Sequence, residues 1–103
     1  MIARLTSISI HPKDVDQVRK IYYDQLVPVI KKQRGNVGVW LLEPTNEKDD
    51  FISLTEWISK ADAEAYESSG TYKELVGKVK HLFRGEAVLR TYSTAEAKIM
   101  ATV

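Results

Sequence analysis

The chain has 103 residues, a formal net charge of +1, and 44% hydrophobic against 28% charged residues. That length suits one globular domain, and the near-neutral, well-mixed charge leaves no field to recruit nucleic acid or an anionic membrane. There is no cysteine, which excludes a disulfide framework, a thiolate metal site and a Cys nucleophile, and is compatible with a cytoplasmic protein.

The opening residues Met1 to Ser7 place an arginine and two hydroxyls where a signal peptide needs an unbroken apolar run. No stretch approaches the length of a membrane span. Ile2 to Ile10 reads as a first strand, with Ile2, Arg4, Thr6, Ile8 and Ile10 on one face and Ala3, Leu5, Ser7 and Ser9 on the other. Asp14 then has the character of an N-cap, with Gln17 in capping-box position. The helix it starts is expected to reach about Arg34. Its apolar stripe is Val15, Val18, Tyr22, Leu26 and Val29, widened by Ile21 and Ile30, and Gly35 supplies the stop. Pro28 has no N–H for the carbonyl of Asp24, so a kink or a break is expected there.

Val37 to Glu43 and Phe51 to Trp57 form a second and a third strand around the polar turn 44–50, close enough for an antiparallel hairpin. Ser59-Lys60-Ala61-Asp62 opens a helical segment that reaches about Phe83 and is interrupted at Ser68-Ser69-Gly70-Thr71. Glu86 to Tyr92 is the last strand, and Ser93 to Val103 a tail of small residues. Strand, helix, strand, strand, helix, strand is the order of a split β-α-β fold: a ferredoxin-like domain over 1–92 with two helices on one face of a four-stranded antiparallel sheet. The other face is left bare, and a bare apolar face invites a second copy of the chain.

Chemistry is sparsely marked. His11 and His81 lack partners at metal-ligand spacing, and no nucleophile elbow, phosphate loop or dinucleotide fingerprint is present. The aromatics are the stronger lead. Trp57, Tyr66 and Tyr72 gather around the third strand and the helix break, with Tyr22 and Tyr23 on the first helix. Such residues are more often core with a hydroxyl reaching a backbone group, but several beside a helix break can line a flat apolar slot with a few polar tips, which suits a small aromatic ligand. Arg4 and Arg90 lie in neighbouring strands, where they serve as surface ion pairs or as anchors for an anionic substrate.

Thr55-Glu56-Trp57, the helix start from Ser59 to Tyr66, the break at Ser68-Ser69-Gly70 and Tyr72 beyond it make the chain resemble the antibiotic biosynthesis monooxygenase (ABM) family of dimeric α/β barrels, over Ile2 to Tyr92. The resemblance implies a homodimer whose sheets pack into a barrel. It also implies a cofactor-independent oxygenase of quinol-like or polyphenolic substrates. A non-catalytic ligand-binding dimer and a fold-related isomerase or lyase are the alternatives. It places Tyr66, Tyr72 and Arg90 as catalytic candidates and Thr6, Tyr22, Trp57, Tyr66, Tyr72 and Val76 around the substrate, with no cofactor and no metal. The haem-degrading branch of the family carries Asn, Trp and His at the positions held here by Thr6, Tyr66 and Val76. None of the three matches, so haem chemistry is not expected.

Overall fold

The computed structural model describes residues 1–94. Its strands are β1 (Ile2–Ile8), β2 (Asn36–Leu42), β3 (Phe51–Trp57) and β4 (Val88–Ser93). They form one antiparallel sheet in the order β2-β3-β1-β4. Two helical segments lie on one face. The first holds α1 (Val15–Ile21) and α2 (Val27–Ile30), and the second α3 (Lys60–Glu67) and α4 (Gly70–Val79). The sheet is open, with β2 and β4 as its edges. This corrects the expectation of a barrel drawn from the resemblance: closing a sheet around a filled interior takes about eight strands, and among the described residues the four strands leave both edges unpaired. Of the tail expected from Ser93, Ser93 itself ends β4, and residues 95–103 lie outside those described.

The first helical segment departs from the sequence expectation in an instructive way. Val18, Tyr22, Leu26 and Ile30 are all buried, a strict four-residue repeat. On a regular helix of about 3.6 residues per turn such a repeat drifts off the face. Here Tyr22–Leu26 is π-helical, and the Val27 N–H reaches back to the carbonyl of Tyr22. The wider turn absorbs the drift and carries the chain past Pro28, which has no N–H to offer Asp24. The irregularity expected at Pro28 thus takes the form of a π turn between α1 and α2. The segment ends at Ile30, short of Arg34, and the turn out of it closes on Gly35 with φ +80°. A side chain at Gly35 would run into Asp62. Asp14 does not cap with its side chain; Pro12–Asp14 forms a 3-10 turn that leads into α1.

The second segment follows its sequence signals closely. The Ser59 hydroxyl accepts from the Asp62 N–H at 3.1 Å and caps α3. The chain breaks at Ser68, and the Ser69 hydroxyl caps α4 by accepting from the Tyr72 N–H at 3.3 Å. The core lies between helices and sheet. It joins Ile8, Phe51 and Trp57 from the strands to Val18, Tyr22, Leu26, Ile30, Ala63, Leu75 and Val79 from the helical segments.

Among the described residues, two surfaces stay uncovered. On the face away from the helices, Trp40, Leu42, Val88 and Tyr92 are exposed, and Leu5 and Leu54 pair directly between them. On the helical face, α3 has contacts with β1 and β3, while every residue of β4 is exposed. A cleft therefore opens between α3 and β4. No helix among the described residues is long and apolar enough to cross a membrane.

Candidate functional site

A cavity of about 60 Å3 lies under α3 and α4, against the middle of the sheet. The strands supply its polar floor: Arg4 and Thr6 from β1, and Ser53 and Thr55 from β3. These residues alternate along their strands, so all four point to the helical side. Trp57, Tyr66 and Tyr72 supply its aromatic wall. Trp57 is 1% exposed, and its indole Nε1–H donates to the Thr55 hydroxyl at 2.9 Å. Tyr66 stacks on it with ring centroids 5.1 Å apart, and Tyr72 meets Tyr66 edge-on at 5.3 Å. These are the offset and edge-to-face arrangements that aromatic quadrupoles favour. The break at Ser68 and Ser69 makes the cluster possible, because it turns α4 so that Tyr72 faces back toward Tyr66.

Beside this wall sits a charge pair. Arg4, on the central strand, is buried and ion-paired with Glu67, the last residue of α3. Both also line the open cleft between α3 and β4, about 780 Å3 in volume, with Leu89, Thr91 and Ser93 on its far side. Lys60 and Glu64 stand at its rim, 3.7 Å apart. The Arg4–Glu67 pair thus forms a partition between a wet outer cleft and a small aromatic chamber.

Of the residues singled out from sequence, Thr6, Trp57, Tyr66 and Tyr72 meet on this one cavity. Tyr22 lies one step away. It is 3% exposed in the core, and its hydroxyl shares a 2.7 Å hydrogen bond with Ser53 and donates to the carbonyl of Trp40 at 3.1 Å. Val76 is half-buried on α4 and is not part of the lining. Arg90 pairs with Leu5 in the register of β4 on β1, so it projects from the opposite face of the sheet to Arg4, into the uncovered surface. The sequence reading did not single out Glu67. Its signal is helical spacing: Ala63, Tyr66 and Glu67 fall at i, i+3 and i+4, one face of α3.

Burial pushes the hydroxyl of Tyr22 up to about 12, against a partial offset from the Ser53 hydrogen bond. The Tyr66 hydroxyl is likewise raised, by burial first and by Tyr72 and Tyr22 second. Both remain neutral donors at physiological pH, able to offer a hydrogen bond but not to take a proton. An unfolded tyrosine ionises near its ordinary value of 10, before the folded Tyr22 does. Stability therefore holds below 10 and falls as pH rises through the folded value. In an alkaline titration followed by phenolate absorbance, unfolding is expected to precede ionisation of Tyr22 and Tyr66; full ionisation of all tyrosines in the folded protein would contradict this burial.

His11 and His81 are exposed and lie outside the cavity. Among the described residues no group of three His, Asp or Glu side chains gathers where a metal ion could sit. The cavity is lined by Trp57, two tyrosines, hydroxyls, apolar groups and one Arg–Glu pair.

Residues 1–78 match the model of the antibiotic biosynthesis monooxygenase family. The chain belongs to that family. Solved structures agree in fold. A putative ABM from Deinococcus radiodurans superposes with a TM-score of 0.83 at 13% identity, covering 99% of this chain and 100% of that one. One from Bordetella bronchiseptica gives 0.80 at 17% identity, with 91% and 96% covered. A substituted MhuD with two manganese protoporphyrin IX molecules bound per active site gives 0.81 at 15% identity, with 98% and 100% covered. No curated protein matches the sequence. At these identities the structural likenesses speak for the fold alone. The porphyrins belong to MhuD.

Proposed function

We propose that this ABM-family chain is a cofactor-independent monooxygenase acting on a small quinol-like or polyphenolic substrate. The observation that carries this reading is the Trp57–Tyr66–Tyr72 cluster bordering a cavity whose floor holds a buried arginine. The substrate is its own reductant. A hydroquinone ionises, its ring passes electrons to dioxygen and forms a C–O bond, and the resulting hydroperoxide loses water: hydroquinone plus dioxygen gives hydroxyquinone plus water. The protein supplies orientation, exclusion of water and stabilisation of the anion. Aromatic faces hold the ring, Tyr66 and Tyr72 offer hydroxyls, and Arg4 favours the deprotonated form.

The test is oxygen uptake with a panel of hydroquinones in the absence of added metal or flavin. One atom of labelled dioxygen is expected in the product. Ligand binding without uptake would overturn the oxygenase reading. It would leave the second reading, a non-catalytic ligand-binding dimer, which is favoured by one observation: the cavity's one carboxylate, Glu67, is already engaged with Arg4. Tyr66→Phe and Tyr72→Phe are each expected to weaken binding or turnover while changing stability by less than about 1 kcal/mol, since only a hydroxyl is lost. Unaltered kinetics in both would remove the tyrosines from the site.

The uncovered sheet face fits a homodimer. Trp40, Leu42, Val88 and Tyr92 are exposed together around a paired Leu5 and Leu54, an apolar surface of the kind that a second copy covers. The cysteine-free composition fits a cytoplasmic setting.

A further inference from the structure

The two members of the Arg4–Glu67 pair are unequally held. The Arg4 side chain is 10% exposed and is rooted in the central strand of the sheet. The Glu67 side chain is 30% exposed and hangs from the last residue of α3. Directly after it the chain breaks, with the Ser68 hydroxyl bonded back to the carbonyl of Glu64 at 2.8 Å. Removing a carboxylate from a buried guanidinium is costly unless another anion takes its place. A swing of the Glu67 carboxylate carries it away into the open cleft that both residues border, while Arg4 stays rooted on the central strand. The guanidinium fork left behind faces both the cleft and the aromatic chamber, in the planar geometry that matches a carboxylate with two parallel hydrogen bonds.

We infer that Glu67 is a built-in competitor, and that the ligand of this site is an aromatic acid whose carboxylate displaces Glu67 from Arg4 as its ring enters against Tyr66 and Trp57. This rests on the quinol-oxygenase reading for the ring chemistry but not for the anion seat. It also accounts for the size of the chamber. At about 60 Å3 it is too small for a ring while the pair is closed, and it joins the 780 Å3 cleft once Glu67 leaves. The charges around the seat are Arg4 and Glu67 themselves, with Lys60 and Glu64 paired at the rim. Glu67 is thus a gating residue that ranks ligands by charge: a carboxylic acid displaces it more readily than a neutral quinol does.

The experiment compares gentisate, a hydroquinone carrying a carboxylate, with hydroquinone itself, by calorimetric titration of the full chain without oxygen. The wild-type protein is expected to prefer gentisate. Glu67→Gln removes the competing charge while keeping its volume, and is expected to tighten gentisate about tenfold, on the scale of one charge-assisted pair, with little change for hydroquinone. Arg4→Gln is expected to abolish the preference. Because that change leaves Glu67 unpaired, the double variant Arg4→Gln/Glu67→Gln serves as the folded control and is expected to bind both ligands alike. Equal binding of gentisate by the wild type and Glu67→Gln overturns the inference, as does an unchanged preference in the double variant. Gentisate preference without oxygen uptake in air supports the anion seat and overturns the oxygenase reading. Uptake with neutral quinols and no preference for the acid overturns the anion seat alone.

Discussion

Trp57→Ala is expected to lower the unfolding free energy by about 3–5 kcal/mol, the range for deleting a large buried ring. Three separate losses add at this position. The ring is 1% exposed, so its removal leaves a void between sheet and helices that the rigid strand pairing on both sides of β3 cannot close. Its Nε1–H donates to the Thr55 hydroxyl, which is itself buried, so a polar group loses its donor. Tyr66 loses the ring it stacks on. Urea unfolding at fixed protein concentration checks the figure, with Trp57→Phe as the comparison: it keeps most of the volume but not the indole N–H, and should fall well short of the alanine variant. A loss below about 1 kcal/mol for Trp57→Ala would mean that the ring is not the keystone of the aromatic wall, and the slot built on it would fall with it.

The same residue shows how much was legible beforehand. Trp57 closes a strand of alternating pattern just before a Ser59 cap, and those local signals place it on the sheet at the foot of a helix. The break at Ser68-Ser69-Gly70 is equally local, since serine caps and glycine speak for themselves, and with it came the meeting of Tyr66 with Tyr72. What was not legible depends on which face a side chain takes across several strands. Arg4 and Arg90 are neighbours by strand order, but the register sets Leu5 opposite Arg90, and side chains that alternate put the two arginines on opposite faces. The Tyr22–Leu26 π turn was hidden for a similar reason: a four-residue apolar repeat reads as an ordinary helix stripe until all its members must pack on one sheet. Glu67 was hidden because a helical glutamate is by default a solvated one, and only the strand position of Arg4 draws it inward. The barrel came with the family resemblance rather than with any residue, and the open sheet with its two edges corrects it.

Leu54→Arg is expected to convert a dimer into a folded monomer. Leu54 sits at the centre of the uncovered face, in a cross-strand row that runs Trp40, Leu54, Leu5, Arg90. Trp40 at one end is 46% exposed, while Arg90 at the other end puts a positive charge at the rim. Within one chain the substitution is mild, because the side chain points away from the core and its neighbours on that face are open to water. Across a two-fold interface it is severe. Each copy brings a new guanidinium into an apolar contact, with Glu56 two residues along the same face of β3 as a partial offset, and symmetry brings the two new charges toward each other. A poorly compensated charge in such a place costs about 3–5 kcal/mol, which is a rise in dissociation constant of roughly two to four orders of magnitude. Sedimentation at micromolar concentration reads the outcome, and far-ultraviolet circular dichroism confirms that the monomer is folded. A wild-type protein that sediments as a monomer, or a Leu54→Arg variant that stays dimeric, would rule this face out as the interface. The Trp57 cavity is indifferent to either result, since it is built on the other side of the sheet.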